Sequence, residues 1–280
     1  MYPTLLSIGP LSLSSFWLFL IIAWLVFSFL FWRELRNQAI TEEHIYHLMF
    51  YGTLAAFVGS RLGFIVFHGA LFEGSFWIRI FTLWIQPGLS FYGALLAGGA
   101  VMLGMSRSYA IRRSLFLDAF TIAFSSAFPW IALAGFLEGS SLGKATNFVL
   151  GIRMNNHVGL IHPVALYEMF AVFIILLVLF LIRKFRLSSM ERSGVYALWF
   201  FFLFSFLMFS LEFMKESPVY FSGLNINQWI CVGIFGEAVG GIITWGGGKE
   251  RIKLISRLLY KQGLLIGGAL YAKFSRRNTQ

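Results

Sequence analysis

The sequence predicts an all-α integral membrane protein with seven transmembrane helices, its N-terminus outside and its C-terminus in the cytoplasm. Hydrophobic residues make up 58% of the 280 residues, and charged residues only 12%. Several apolar runs reach the roughly 20 residues that a helix needs to cross a bilayer. These runs lie at about 11–32, 48–68, 88–105, 115–136, 165–182, 195–214 and 228–245.

The basic residues support this number of spans, because they accumulate in alternate connections. Seventeen of the 22 Lys and Arg follow the first, third, fifth and seventh runs, whereas four lie in the other connections. Positively charged connections remain in the cytoplasm. Six or eight spans would leave the eight cations after Gly246 on the far side. The bias therefore favours seven spans and an outer N-terminus.

The first and fourth runs need separate interpretation. No basic residue precedes Arg33, so the first run lacks the positive start of a signal peptide and is interpreted as a retained helix. Pro129 interrupts the fourth run, which ends in the polar segment EGSSLGKATN. We therefore expect the fourth run to be broken or re-entrant, within space lined by protein.

The chain divides into a seven-span membrane domain, residues 1–245, and a basic tail, residues 246–280. Ile252, Ile255 and Leu258 recur at helical spacing among basic residues. This pattern predicts a helix that lies on anionic lipid headgroups; a docking site for a cytoplasmic partner is the alternative. The net charge of +10 is therefore interpreted as a contact with lipid headgroups, not with nucleic acid. The single cysteine, Cys231, excludes an intramolecular disulfide and is interpreted as a small buried side chain.

Ionisable residues inside the apolar runs are candidate functional groups, because a charge at membrane depth costs about 2.5–3.5 kcal/mol. Arg61 lies within the second run, between glycines that allow a helix or a lipid headgroup to approach. Glu212 lies near the outer end of the sixth run, and His162 and Glu168 lie at the outer start of the fifth. These side chains need partners or a hydrated cavity.

The segment IHPVALYE, 161–168, has a local structural interpretation. Pro163 suits a first helical turn, where its missing N–H has no intrahelical partner. Tyr167 supplies a hydroxyl group at the depth of the membrane interface, where tyrosine is common. Glu168 is explained only if a cation reaches it, and we expect that cation to be Arg61 or Lys144.

The same segment closely resembles the His-Pro-x-x-Leu-Tyr-Glu segment of the bacterial prolipoprotein diacylglyceryl transferases. Other segments resemble that family in the same order along the chain. They are SIGPLSL near the N-terminus, GSRLGFIVF with Arg61, GLSFYGALL with Tyr92, LEFMKE with Glu212, and Gln228 at the start of the last run. The resemblance covers roughly residues 5–245.

The resemblance implies an enzyme of the bacterial inner membrane. It would transfer the diacylglyceryl group of phosphatidylglycerol to the lipobox cysteine thiol of a prolipoprotein, form a thioether and release glycerol 1-phosphate. No metal or soluble cofactor is implied. The reaction needs a base for the thiol proton and donors for the departing phosphate. We assign catalysis to Tyr92, Glu168 and Glu212, and substrate binding to Arg61, His162, Tyr167, Gly139, Gly143, Lys144 and Gln228.

The chain departs from the family segments at several positions. Tyr92 replaces a histidine, and Ala132 and Met208 replace arginines. The other departures are Phe16 and Phe204 at tyrosines, Ala94 at a glycine, Gly135 and Glu138 at asparagines, and Ser140 at an acidic residue. Loss of a guanidinium removes bidentate binding of phosphate, and a tyrosine with an ordinary pKa of about 10 is a poor base at neutral pH.

Two functions from different classes follow. The first is a diverged transferase that retains phosphatidylglycerol and a thiol acceptor as substrates, with Arg61 on the phosphate. The second is a catalytically degenerate relative that retains the fold and a lipid cavity, and serves as a membrane scaffold or binds lipoprotein precursors. A transporter is a weaker alternative, because no pair of broken helices indicates an inverted repeat.

Overall fold

The computed structural model describes residues 4–8, 11–67, 88–140, 143–153, 159–184, 194–216 and 222–245. The basic tail, 246–280, and the helix predicted within it lie outside the described residues.

Seven long helices account for most of the described chain. Six of them are long and apolar enough to cross a membrane. The helix at 91–108 is not among those six, and its last turn carries Arg107. The helices are α1 Ser15–Asn37, α2 Glu42–Phe67, α3 Phe91–Ser108, α4 Arg113–Glu138, α5 Val164–Lys184, α6 Val195–Glu212 and α7 Ile226–Thr244.

Each helix coincides with one predicted apolar run, and the largest differences are at the ends of α1 and α2. The first run was predicted to begin at residue 11, but α1 begins at Ser15 because Leu11–Ser14 form a strand. Helix α2 begins at Glu42, before the apolar run, with Glu42 and Glu43 in its first turn. Acidic side chains stabilise the positive end of the helix dipole, and a search for apolar residues does not detect them.

Five short strands qualify the all-α prediction. Strands β1 Thr4–Ile8 and β2 Leu11–Ser14 form an antiparallel hairpin ahead of α1. Between α4 and α5, β3 Ala145–Thr146, β4 Ile152–Arg153 and β5 Leu160–Ile161 form an antiparallel sheet with β5 in the centre. Strands of two to five residues are too short to show apolar periodicity, so no pattern in the sequence predicts them.

The prediction of a broken fourth span is wrong. Helix α4 runs without interruption from Arg113 through Pro129 to Glu138, and ends at Gly139, whose φ is 82°. Proline removes one helical hydrogen bond, but serine hydroxyls and neighbouring helices make it tolerable in membrane helices. Ser125 and Ser126, one turn earlier, both donate hydrogen bonds to the carbonyl oxygen of Ile122, at 3.2 and 2.9 Å. Helix α4 packs against α1, α5 and α6, so Pro129 is buried.

Helices α2 and α3 pack at close range through small residues. A Cβ atom at Gly59 would collide with the side chain of Ala97 and the carbonyl oxygen of Gly93. Small residues at such crossings allow helix backbones in membranes to approach each other. The Ser90 side chain caps α3 by accepting a hydrogen bond from the Gly93 N–H, and the Ser90 N–H donates to Ser60. This contact fixes the start of α3, and hence the position of Tyr92.

We expect Gly59→Leu to destabilise the protein by about 2 kcal/mol, because overpacking forces the two backbones apart. Unfolding in mixed detergent micelles measures the change. Gly104→Leu is the matched control, since a Cβ atom at Gly104 on α3 meets no atom within 4 Å. Equal stability of the two variants would contradict the close contact as a determinant of the fold.

Candidate active site

A cavity of about 1330 Å³ lies between α1, α2, α3 and α4, and reaches α5, α6 and α7 at one end of the bundle. That end, where α3, α5 and α7 begin and α4 and α6 end, is called the site end. Apolar and aromatic side chains form most of the cavity wall. The charged residues in the described lining all lie at the site end: Glu138, Glu168, Glu212, Lys215 and Glu216.

Lys215 lies between two carboxylates. Its Nζ atom is 2.7 Å from Oε1 of Glu168 and 3.0 Å from Oε2 of Glu212. The exposed fractions of the three side chains are 17%, 12% and 2%. Because this group is largely removed from water, its electrostatic interactions are stronger than those of a surface pair. The three residues are called the ion-pair cluster.

The electrostatics of the cluster keep Lys215 protonated. Burial opposes the ammonium charge, but the carboxylates of Glu168 and Glu212 outweigh burial and raise the pKa of Lys215 above its ordinary value. The resulting stabilisation is fully present below the pKa of an unfolded lysine and is lost only as the pH rises through the higher folded value. Lys215 is therefore a cation throughout the neutral range.

Helix α7 fixes the second carboxylate through its N-terminus. Asn225 and Asn227 donate side-chain hydrogen bonds to Oε1 of Glu212, at 3.0 and 2.7 Å. Asn225 is also the N-cap of α7, and exchanges reciprocal hydrogen bonds with Gln228 in a capping box. The capping box sets the orientation of the Asn225 amide. Gln228 thus acts on the site through Asn225.

The connection between α4 and α5 holds the backbone of Lys215. Gly143 forms an antiparallel bridge with Lys215, and the Lys144 N–H donates to the carbonyl oxygen of Met214 at 2.8 Å. The His162 N–H donates in turn to the carbonyl oxygen of Lys144 at 3.1 Å. A Cβ atom at Gly143 would collide with the His162 backbone, so this position requires glycine.

His162 and Tyr167 form a contact beside the ion-pair cluster. Nδ1 of His162 is 3.4 Å from the hydroxyl oxygen of Tyr167, and both side chains are half-buried. Pro163 precedes α5, whose first residue is Val164, as expected for a residue with no N–H. This geometry places the motif HPVALYE directly at the site end.

Tyr92 and Cys231 face each other in the interior. The Tyr92 hydroxyl is 3.2 Å from Sγ of Cys231, and both residues are buried. Tyr92 lines the cavity. The interpretation of Cys231 as a small buried residue agrees with its position, and its thiol adds a polar contact to Tyr92.

Arg61 lies near the end of α2 and is 3% exposed. Its Nη1 atom donates to the carbonyl oxygen of Gly88 at 3.2 Å, just ahead of α3. This hydrogen bond connects Arg61 to the backbone that leads into α3. Its predicted contact with phosphate stays a prediction.

The predicted site residues divide into two groups. Tyr92, Gly139, Glu168 and Glu212 line the cavity. The described lining does not include Arg61, His162, Tyr167, Gly143, Lys144 or Gln228. These six residues were predicted to bind substrate, and their described contacts support the α2–α3 junction or the ion-pair cluster.

The expected cation beside Glu168 was assigned incorrectly. The structure places Lys215 there, not Arg61 or Lys144. The sequence contained a signal for Lys215, since it follows Glu212 by three residues and such residues share one helical face. Asn225 and Asn227 were also missed, because only the folded chain brings the start of α7 to the end of α6. Within the described residues, no group of three His, Cys, Asp or Glu could hold a metal ion.

Comparison with known proteins identifies the family. The family model described as prolipoprotein diacylglyceryl transferase matches residues 3–244. The chain belongs to the prolipoprotein diacylglyceryl transferase family. Relatives named phosphatidylglycerol–prolipoprotein diacylglyceryl transferase include proteins from Paracidovorax citrulli (27% identical, covering 87% of this chain and 94% of the relative) and Ehrlichia ruminantium strain Gardel (28%, 82% and 89%). A third, from Bacteroides fragilis strain YCH46, is 27% identical, covering 71% and 77%.

The departures from the family segments concentrate in the cavity. Phe204 packs within the aromatic core, and the other departures all line the cavity wall: Phe16, Tyr92, Ala94, Ala132, Gly135, Glu138, Ser140 and Met208. By the resemblance described above, Ala132 and Met208 stand where the family segments have arginines. Lys215 is the one basic residue in the described lining.

We expect Lys215→Met to lower the free energy of unfolding by about 3 kcal/mol at neutral pH, because it leaves two buried carboxylates without their cation. Unfolding in detergent micelles at neutral pH measures the effect. Lys215→Met combined with Glu168→Gln and Glu212→Gln should recover much of the stability, because no buried carboxylate then lacks a cation; an equal loss in this triple variant would contradict the electrostatic explanation.

Proposed function

We propose that this protein transfers the diacylglyceryl group of phosphatidylglycerol to the cysteine thiol of a prolipoprotein lipobox. The observation that carries the proposal is the ion-pair cluster at the polar end of an otherwise apolar cavity. An apolar wall suits acyl chains, and a buried ammonium beside carboxylates suits a reaction that releases a phosphate and a proton. Family membership and the names of the relatives support the same reaction.

In the proposed step, the lipobox sulfur attacks the glyceryl carbon that bears the phosphate ester, and a C–S bond forms. The C–O bond to phosphate breaks, and glycerol 1-phosphate leaves with the electron pair. The thiol proton passes to Glu212 or Glu168, which act as the base, and Lys215 donates hydrogen bonds to the phosphate. Tyr92 supplies a hydroxyl to the cavity wall.

The remaining predicted residues have supporting roles in this proposal. Gly139 and Gly143 shape the backbone at the site end, and His162 and Tyr167 adjoin Glu168. Arg61 and Lys144 are proposed phosphate contacts that would form as the lipid enters. Gln228 orients Asn225, which in turn holds Glu212.

We also propose the predicted topology, with seven spans in the bacterial inner membrane and α3 as the seventh beside the six apolar helices. The site end then faces the outer leaflet, where the lipobox of an exported precursor arrives. The clustering of basic residues at the opposite ends of the helices supports this orientation. The tail, 246–280, is proposed to lie on anionic headgroups of the inner leaflet.

A second candidate function is lipid binding without catalysis. The observation that favours it is the neutral character of Ala132 and Met208, which line the cavity where the family has arginines. Lys215 is the one basic residue in the described lining, so fewer cations line the cavity than the family segments would supply. A relative of this kind would serve as a scaffold or bind lipoprotein precursors.

Transfer of labelled diacylglyceryl from phosphatidylglycerol to a lipobox peptide distinguishes the two functions. We expect labelling by the purified protein, and none when the peptide cysteine is replaced by serine. Glu212→Gln should reduce the rate at least about 100-fold, as for loss of a general base. Glu237→Gln, an exposed substitution on α7, is the control and should leave the rate unchanged. Lipid binding without any labelling would overturn the transferase in favour of the second candidate.

A further inference from the structure

The apolar part of the cavity is deep. Its lining follows α1 from Phe16, near the site end, to Ser28. At 1.5 Å per residue this distance is about 18 Å. One leaflet occupies about half of the ~30 Å hydrocarbon core. The cavity therefore extends as far below the site end as a fatty-acyl chain extends into its leaflet.

The deep end is closed. Ser28, Met49, Met102 and Phe120 line it. Immediately beyond, the rings of Phe31 and Phe116 pack with centroids 5.9 Å apart, and those of Phe116 and Phe120 with centroids 6.0 Å apart. Phe31 and Phe116 are 0% and 2% exposed. Since such packing leaves no voids of lipid size, an acyl chain cannot pass this aromatic floor.

A second apolar space lies outside the cavity. It is a groove of about 620 Å³ between α1 and α2, lined by Trp24, Tyr46, Met49, Phe50, Thr53, Leu54 and Phe57. The cavity wall shares Trp24, Met49, Thr53 and Phe57 with this groove. The Trp24 indole N–H donates to Oγ1 of Thr53 at 3.0 Å, and this bond spans α1 and α2 between the two spaces. Most of the groove's lining is exposed, so the groove is open along its outer side. The exposed residues are Trp24, Tyr46, Phe50, Leu54 and Phe57.

We propose that the cavity holds one of the two acyl chains of the donor lipid and limits its length, while the second chain lies in the groove without such a limit. The donor would be a diacyl glycerophospholipid, and its headgroup would lie at the ion-pair cluster. The identity of the lipid in this inference rests on the proposed function. The depth of the cavity is an observation that does not depend on that function.

The physical basis is the free energy of burying methylene groups. Each methylene that the cavity encloses strengthens binding several-fold. A chain that reaches the aromatic floor gains nothing from further carbons, and must bend or displace its headgroup to fit. Chain length should therefore affect binding through one chain more than through the other.

Gly99 offers a direct test. It lines the cavity on α3, three residues before Met102 and hence on the same helical face. A Cβ atom at Gly99 meets no protein atom within 4 Å, so a leucine there would fill space just above the floor. Gly104 has the same open surroundings on the same helix but is absent from the described lining. Gly104→Leu is therefore the matched control.

The experiment measures binding of dilauroyl and dipalmitoyl phosphatidylglycerol to the purified full chain in detergent, by competition with a fluorescent phosphatidylglycerol. The quantity compared is the ratio of the dissociation constant of the dipalmitoyl lipid to that of the dilauroyl lipid. Gly99→Leu should raise this ratio roughly tenfold above the wild-type value, as if about two methylenes left the cavity. Gly104→Leu should leave this ratio at the wild-type value. A lipid with one lauroyl and one palmitoyl chain should bind Gly99→Leu nearly as well as the dilauroyl lipid, because its longer chain can occupy the groove.

The outcomes separate this inference from the proposed function. An unchanged ratio in Gly99→Leu would overturn the chain-length limit, even if the protein transfers diacylglyceryl groups. The predicted ratio in a protein that labels no peptide would support the limit and overturn the transferase. If Gly99→Leu does not fold, Ser28→Leu shortens the cavity from α1 and should produce the same shift, and its failure to do so would also overturn the inference.

Discussion

The ion pair of Lys215 with Glu168 and Glu212 is the interaction on which the rest of the site depends. Glu168 belongs to α5 and Glu212 ends α6, while Lys215 follows α6 in a backbone bridge to Gly143. One ammonium thus joins two helices and the connection that follows α4. Two carboxylates so close together would repel each other without it. The same charge that makes the site chemically useful therefore holds its walls together.

Two pairs of helices pack closely, and the space between the two pairs is open. Helix α2 lies against α3 through glycines, and α1 lies against α4, but α1 and α2 make few contacts with each other. The cavity and the groove occupy the space that results. Trp24 and Thr53 bridge this space with a single described hydrogen bond. Lipid access from the side of the bilayer is compatible with this arrangement, since no extensive interface would have to separate.

The sequence predicted what depends on composition and missed what depends on tertiary contacts. Seven helices coincide with seven apolar runs, and six of them have the length and hydrophobicity that crossing a bilayer requires. The motif HPVALYE lies at the site end, where Glu168 contacts Lys215, and its role in binding or catalysis stays a prediction. Pro129 was misleading because neighbours in the folded bundle accommodate a proline that appears disruptive alone. The contact of Lys215 with Glu168 was missed because the two residues lie 47 positions apart in sequence, and the spacing of Lys215 from Glu212 indicates only the second contact.

The charge balance of the cavity constrains the proposed reaction. Lys215 is already neutralised by two carboxylates, and Glu138 and Glu216 add negative charge to the lining. A phosphate must therefore compete with these carboxylates for the ammonium of Lys215. Transfer of the thiol proton to Glu212 would cancel one carboxylate charge and free a donor of Lys215 for the phosphate. In this arrangement, deprotonation of the thiol and stabilisation of the departing phosphate are coupled. A site with additional arginines would not require this coupling, because those arginines would bind the phosphate directly.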